Sequence, residues 1–370
     1  MLVGKPRVLL LVNRWYHDGG VENFLEQLIA ETGSSIDYTI ASLITQIDSD
    51  ADCSKMGPVL LSGRVQDMYS HGGDIERVMR GGYDVVHIQA SNGSAFYLAN
   101  LAKREGIPRR IVHSHNAGAE TSSNLVKNLV GGISEAIWSN APTDLWACSM
   151  NTGEYLFGNR PFQVFCNGID IERFTYSPEK RARVRAELGV ADSSFLLGSI
   201  GRISLQKNPI FQLRVFSELR KLVPDARFCM VGSGDLETER DAEAKVLGLG
   251  ASLIRIPRTS EPDAFYSAFD ALIFPSVFEG LTFVCIEGQT EGLPIYGSDA
   301  LPRELDVTDR ISFHSTDEDP TLWARRIVND IERFPFSERS TYAQKMRDAG
   351  FDRETCFASI AAAYGRVISR

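Results

Sequence analysis

An α/β protein made of two doubly wound domains is what three observations predict. Short apolar, β-branched runs alternate with segments of helical periodicity. The runs are continuously apolar, as in parallel sheets covered on both faces by helical crossovers. The rhythm stops at a polar, proline-containing stretch and then begins again. A chain of 370 residues is also long enough for two domains, each with its own core.

The first half offers strands at 7–13 (RVLLLVN), 37–43 (DYTIASL), 83–89 (YDVVHIQ), 109–115 (RRIVHSH), 144–149 (DLWACS) and 162–167 (FQVFCN). Helical periodicity lies between them, at about 20–31, 94–105, 123–139 and 150–157. The second half offers strands at 195–202, 226–232, 252–257, 271–276, 293–298 and 311–315. The hinge is placed in NGIDIERFTYSPEKRARVRAELG, giving domains over 1–175 and 185–350. A last helix over about 353–368 buries one face, through Phe357, Ile360, Ala361, Tyr364 and Ile368. No internal repeat or low-complexity segment interrupts this plan.

Composition narrows the function. Hydrophobic content of 43% and a mean hydropathy of -0.13 belong to an ordinary soluble protein. Lys+Arg 39 against Asp+Glu 48, a net charge of -9, argues against broad nucleic-acid binding. No apolar stretch approaches the length of a membrane span. The opening MLVGKPRVLLLVNRW reads as a first strand rather than a signal peptide, because no small-residue cleavage site follows. Cys53, Cys148, Cys166, Cys229, Cys285 and Cys356 are scattered singly, which suits small core residues in a reducing cytoplasm.

Ligands of open α/β sheets sit beyond the carboxyl ends of the strands, so the residues there are the candidates. After the first strand, Gly19-Gly20 opens a helix: either a plain turn or a place where a backbone N–H approaches a phosphate. His113 and His115, with Asn116 following, end the strand at 109–115; a site and a structural role both remain open. A metal on His-x-His lacks a third ligand group. In GRISLQKN, Arg202 and Lys207 lie on the loop before a helix. They are either surface cations or a diphosphate clamp, a bidentate fork with a mobile point charge. VGSGDLE repeats strand, glycines and helix start but lacks the full dinucleotide fingerprint, and so does the first strand-to-helix turn, which disfavours an NAD-dependent dehydrogenase.

Glu279 and Glu287 complete the pattern, with seven residues between them in SVFEGLTFVCIEGQTEG. The first follows the strand ALIF and the second lies within a helix over 282–291. The start of such a helix favours anions, so the carboxylates need another purpose: accepting hydrogen bonds from paired hydroxyls. A ligand with hydroxyls on both sides of a diphosphate is a nucleotide sugar. Glu287 then takes the ribose and Glu279 faces the sugar.

GGVENF, YDVVHIQ, VHSHN, WACSMNTGEYLFG, NGIDIERF, GRISLQKN, VGSGDLE, FPSVFEGLTFVCIEGQTEGLP and the SD at 298–299 run through most of the chain in this order. Together they resemble the retaining glycosyltransferases of family 4, and among these the bacterial capsular and exopolysaccharide enzymes; the Glu279–Glu287 spacing is the family's E-x7-E. The resemblance implies the GT-B fold, two Rossmann-like domains facing across a cleft, with the helix over 353–370 crossing back to the N-terminal domain. It implies a hexosyl or N-acetylhexosaminyl donor, foremost a UDP-sugar, on the C-terminal domain and a glycan or lipid-linked acceptor on the N-terminal one. Arg202 and Lys207 would hold the diphosphate and Glu287 the ribose. Backbone N–H groups of Gly20 and of Gly280, Leu281 and Thr282 would approach the donor. His113 would lie by the transferred sugar with Glu279, and Glu22 and His115 toward the acceptor. No cofactor or metal is implied, and Asp48-Ser49-Asp50, which imitates the DxD of the other glycosyltransferase fold, reads as a solvated turn.

Phe283 and Gln289-Thr290 depart from the family's usual Pro and Ala-Ala, which bears on the sugar rather than on the reaction. The stripe Leu125, Leu129, Ile133 and Ile137 has two readings, core packing and weak peripheral docking on a membrane, the former preferred. Two other functions fit the same residues: a non-catalytic companion that binds nucleotide sugar, and a GT-B nucleotide-sugar epimerase.

Overall fold

The structure, a computed structural model, describes residues 4–12, 20–43, 59–61, 72–90, 92–115, 125–330 and 336–365. The chain divides into two compact units, Met1–Gly168 with Arg353–Arg370, and Ile169–Asp352.

The first unit runs β1 (Arg7–Val12), α1 (Gly20–Thr32), β2 (Asp37–Ser42), β3 (Val59–Leu61), α2 (Gly72–Met79), β4 (Val85–Ala90), α3 (Ala95–Arg104), β5 (Arg109–Ser114), α4 (Leu125–Trp138), β6 (Asp144–Ala147), α5 (Met150–Phe157) and β7 (Gln163–Val164). Its strands form one parallel sheet in the order β3-β2-β1-β4-β5-β6-β7. Leu9, Leu11, Val86 and Ile88 of the central strands are buried in one core with Phe96 and Leu101 of α3.

The second unit runs α6 (Pro178–Glu187), β8 (Leu196–Ile200), α7 (Pro209–Leu222), β9 (Arg227–Val231), α8 (Glu237–Val246), β10 (Leu253–Ile256), α9 (Pro262–Ala268), β11 (Ala271–Phe274), α10 (Phe283–Thr290), β12 (Ile295–Ser298), β13 (Ile311–His314), α11 (Pro320–Asp330) and α12 (Tyr342–Asp348). Its parallel sheet has the order β10-β9-β8-β11-β12-β13. Leu197, Phe216, Phe228, Ile273 and Trp323 fill the core between this sheet and its helices. The last helix, α13 (Arg353–Gly365), belongs to the first unit, where Phe357 packs 5.5 Å from Phe24 of α1. Phe357, Ile360 and Tyr364 are fully buried, as the spacing of that helix predicts, whereas Ala361 is half-buried; Ile368 lies outside the described residues.

Residues 169–184, which the sequence boundaries at 175 and 185 leave outside the second domain, group with the second unit. Ile169, Ile171 and Phe174 are buried, so this stretch carries its own apolar anchors. The hinge segment also contains a full helix, α6, started by the Ser177 hydroxyl accepting from the Lys180 N–H and by Pro178 in its first turn. Arg181 and Arg185 of that helix are buried against Asp270 at 2.8 and 3.3 Å.

The preference for core packing along α4 fails at two positions. Ile133 and Ile137 are 49% and 62% exposed, whereas Gly131 and Ser134 are buried. The helix packs by close backbone approach: a Cβ on Gly93 would lie 2.4 Å from the Gly131 carbonyl oxygen. The side chains of Leu125 and Leu129 lie outside the described residues. Among the cysteines, Cys148, Cys229, Cys285 and Cys356 are buried and Cys166 is half-buried; Cys53 lies outside the described residues.

Candidate functional site

In the second sheet the chain leaves β8 for β9 on one side, and β11 later pairs with β8 on the other. That reversal is the switch point where open α/β sheets place their ligands. The loop after β8 (201–208) and the loop after β11 (275–282) therefore meet. The Val277 N–H donates to the Gln206 carbonyl at 2.8 Å, and the Gln206 amide donates to the Phe278 carbonyl at 3.0 Å. Gln212 of α7 holds the Lys207 carbonyl at 2.7 Å.

The glycines of VGSGDLE have a packing task here. Gly232, at φ 136, lies so close to the first loop that a Cβ would sit 2.0 Å from the Gly201 carbonyl oxygen. A Cβ on Gly234 would sit 2.4 Å from that of Ile203. These glycines let the turn after β9 support the loop that carries Arg202 and Lys207.

Lys207 and Glu279 form an ion pair across the two loops at 2.5 Å, with side chains only 17% and 7% exposed. The Lys207 ammonium also lies 4.4 Å from the Phe274 ring centroid. A pocket lined by Gly201, Arg202, Lys207, Gln212 and Phe274 opens beside them, and Arg202 is exposed at its rim. Gly280 and Leu281 are buried. Thr282 is the N-cap of α10 without a side-chain capping bond, so its hydroxyl does not cover the helix's first N–H groups. Two cations and a helix start thus gather at one strand-end crevice, an arrangement suited to an anion.

Glu287, in the second turn of α10, is buried and accepts from the Tyr266 hydroxyl at 2.7 Å. Burial pushes its carboxyl up to about 7, against the lowering effect of that hydrogen bond and of Arg173. One turn further, Glu291 is also pushed up to about 7 by burial, although Arg339 and the Ser267 hydroxyl stabilise its charge. Gln289 holds the loop beyond β12, donating to Leu305 O at 2.7 Å and accepting from the Thr308 hydroxyl at 2.9 Å. Sequence reasoning missed Tyr266, Glu291 and Arg339. The one signal was a second glutamate in a helix whose other residues are mostly apolar.

In the first unit, His113 lies within β5 rather than beyond it, fully buried beside Phe24 and Trp146. Its Nδ1 is 3.0 Å from Nε2 of His87 on β4, and His87 Nδ1 is 2.5 Å from the Tyr364 hydroxyl of α13. His115 follows β5, its Nε2 donating to the Gln89 amide oxygen at 2.6 Å. Burial holds His115 down to about 3 and His87 and His113 well below the usual histidine range, so all three rings are neutral. His87, Gln89 and Tyr364 were not singled out from the sequence. Glu22 is buried in the first turn of α1, two residues before the Phe24 that touches both histidines, and Gly20 starts that helix exposed. Gly19, Asn116 and Asp48–Asp50 lie outside the described residues. Among the described residues no cluster of three His, Cys, Asp or Glu side chains could hold a metal ion, and no helix is long and apolar enough to cross a membrane.

Residues 180–327 match the model of the family described as Glycosyl transferases group 1. The chain is 27% identical over 254 residues to a putative glycosyltransferase, EpsF, of Bacillus subtilis, covering 67% of this chain and 66% of that one. It is 27% identical over 226 residues to the UDP-Gal:alpha-D-GlcNAc-diphosphoundecaprenol alpha-1,3-galactosyltransferase of Escherichia coli, covering 57% of each. It is 30% identical over 210 residues to a Mycobacterium D-inositol 3-phosphate glycosyltransferase, covering 55% of this chain and 46% of that one. The chain thus spans less than two thirds of the length of each of these relatives. Among solved structures, Anabaena HepE in complex with UDP and glucose superposes with a TM-score of 0.77 at 16% identity, over 97% of this chain and 99% of that one. WaaG, a glycosyltransferase involved in lipopolysaccharide biosynthesis, gives 0.72 at 14%, over 97% and 100%. The chain therefore has the GT-B fold, and the family match in its second unit together with these relatives supports a glycosyltransferase.

Proposed function

We propose that the protein is a retaining, metal-independent glycosyltransferase. It transfers a hexosyl or N-acetylhexosaminyl group from a nucleotide diphosphate-sugar, a UDP-sugar first, to a glycan or lipid-linked saccharide in cell-surface polysaccharide synthesis. The observation that carries this reading is the meeting of Lys207, Arg202, Glu279 and the start of α10 at the β8/β11 switch point. The name of the Escherichia coli galactosyltransferase supports a UDP-sugar donor and a lipid-linked saccharide acceptor, and that of EpsF supports glycosyl transfer.

In this reading Arg202, Lys207 and the N–H groups of Gly280 to Thr282 receive the diphosphate, with the Gly20 N–H also directed to the donor. Lys207 is already engaged by Glu279, so a bound diphosphate replaces a carboxylate as its partner. Glu279 is then released to accept from hydroxyls of the sugar. Glu287, beside Tyr266, accepts from the ribose. The leaving diphosphate gains charge as the glycosidic bond breaks, so its cationic contacts strengthen in the transition state and lower the barrier. It can itself take the acceptor's proton. His113 lies by the transferred sugar, with Glu22 and His115 toward the acceptor. Ile133 and Ile137, exposed on α4, are the proposed place of weak peripheral membrane contact.

The test is stereochemical. Proton NMR of the product formed from a UDP-α-sugar should show an α-linkage; a β-linkage would refute retention.

A further inference from the structure

We propose that Tyr364 and His87 are positioning residues that hold His113 in the tautomer carrying its hydrogen on Nε2. His113 then enters the reaction as a hydrogen-bond donor and not as a base. The inference rests on the reading that His113 lies by the transferred sugar and adds to it two residues and a protonation state.

Counting protons separates the possibilities. Tyr364 Oη, His87 and His113 form a chain with two contacts, Oη to Nδ1 at 2.5 Å and Nε2 to Nδ1 at 3.0 Å. Each contact uses one hydrogen, and each neutral imidazole has one to give. Two arrangements satisfy both contacts. In the first, the phenol donates to His87 Nδ1, His87 Nε2–H donates to His113 Nδ1, and the His113 hydrogen is left on Nε2. In the second, every hydrogen points the other way: His113 Nδ1–H donates to His87, and His87 Nδ1–H donates to the phenol oxygen.

The second arrangement leaves the phenol's own hydrogen without an acceptor, because His87 is the only hydrogen-bond partner of that hydroxyl among the described residues. Tyr364 is fully buried, so bulk solvent does not reach that hydrogen. A buried hydroxyl hydrogen with no acceptor carries its full desolvation cost. The first arrangement uses it and leaves the unmet hydrogen on His113 Nε2 instead, so once a ligand oxygen accepts there only the first arrangement satisfies every hydrogen. That nitrogen is buried and has no hydrogen-bond partner among the described residues. A donor kept unpaired at that position is suited to a ligand oxygen, such as a sugar hydroxyl.

Neutrality is secured by burial, with the neighbouring rings and Arg109 adding to it: both His87 and His113 are held well below the usual histidine range. Trp146 packs edge-on to both rings, at 5.2 and 6.0 Å, so the chain is fenced laterally by an aromatic wall. Phe24 closes the other approach, 5.5 Å from His113.

Protein labelled with nitrogen-15 in histidine reports the tautomers directly through long-range proton–nitrogen correlations. Wild type should show protonated Nε2 and bare Nδ1 on both His87 and His113. A protonated Nδ1 on either ring, or an imidazolium at neutral pH, overturns the proposal. Tyr364→Phe should then populate both tautomers of His113 and lower kcat for hydrolysis of UDP-glucose or UDP-galactose about tenfold, with UDP affinity unchanged. An active variant with unaltered kcat removes the positioning role. If neither donor is turned over by wild type, the proposed function is what fails for these sugars, and the histidine spectrum still decides the tautomer. If Tyr364→Phe does not fold, the wild-type spectrum alone decides between the two arrangements.

Discussion

Replacing Glu287 by Gln should make the protein more stable above neutral pH while weakening its hold on donor. The amide keeps the shape of the carboxylate and still accepts from the Tyr266 hydroxyl, so the perturbation is mainly one of charge. Burial raises the Glu287 carboxyl from 4.5 in the unfolded chain to about 7. Below the unfolded value both states hold the proton, and the contribution to stability is fully present. As pH rises through about 7 the folded carboxyl must ionise in its buried site, and that contribution is lost. At about 1.4 kcal/mol for each tenfold change in proton affinity, the loss is about 3 kcal/mol at its largest. The difference in stability between Glu287→Gln and wild type should therefore grow from acid to alkaline pH by an amount of that order. Calorimetric melting across pH measures it and resolves units that unfold separately. Binding supplies the second readout. Ribose hydroxyls donate to the ionised carboxylate, so UDP-glucose affinity should rise from about pH 6 to about pH 8 in wild type and stay flat in the variant, which binds about 10- to 100-fold more weakly. A stability difference that does not change with pH refutes the buried-carboxyl argument. Equal donor affinity in variant and wild type refutes the ribose role.

Three further perturbations test neighbouring parts. Lys207→Ala should lower kcat about 100-fold, more than it weakens UDP binding, and should destabilise the second unit by about 3 kcal/mol because Glu279 is left buried and unpaired. Much of that stability should return in the Lys207→Ala, Glu279→Ala double variant, and simple additivity of the two changes would show that the pair is not coupled. Gly232→Ala, which places a methyl group 2.0 Å from the Gly201 carbonyl oxygen at a φ of 136, should cost about 3 kcal/mol or more in denaturant melts; an unchanged midpoint would mean the turn has room to move. Transfer should continue at its full rate after dialysis against EDTA, and a loss restored by added Mg²⁺ would assign the leaving-group charge to a metal instead.

Where the sequence was legible, one physical condition held: the residue's role followed from its neighbours along the chain. β8 (LLGSI) and β11 (ALIF) are short, mainly apolar runs because both faces are covered, and Lys207 and Glu279 stand out because they follow such strands. Where the role depends on a distant partner, the pattern misleads. PEKRARVRAE reads as part of a polar hinge, yet Arg181 and Arg185 find Asp270 and the Ala268 carbonyl more than 80 residues away and bury there. The run 162–167 reads as a strand, but only Gln163 and Val164 pair, both exposed at the sheet's edge. Ile133 and Ile137 look like a core stripe, but a helix that packs through Gly131 and Ser134 has no need of them. Tyr266 with Glu287, and Tyr364 with His87, are contacts 21 and 277 residues apart, for which local periodicity carries no signal.

The pairing of β8 with β11 also sets an order of events in folding. The strands β8, β9 and β10 can assemble from nearby segments, but β11 must enter beside β8 after the chain has closed a long loop, which is slow. Until it does, β8 is a raw edge with unpaired N–H and C=O groups, open to pairing with another chain. Lys207 is made 72 residues before the Glu279 that pairs with it. A nascent chain therefore carries the cationic half of the crevice through that whole interval without its carboxylate, and closing the salt link marks the moment when β11 is in place and β8 is no longer an edge.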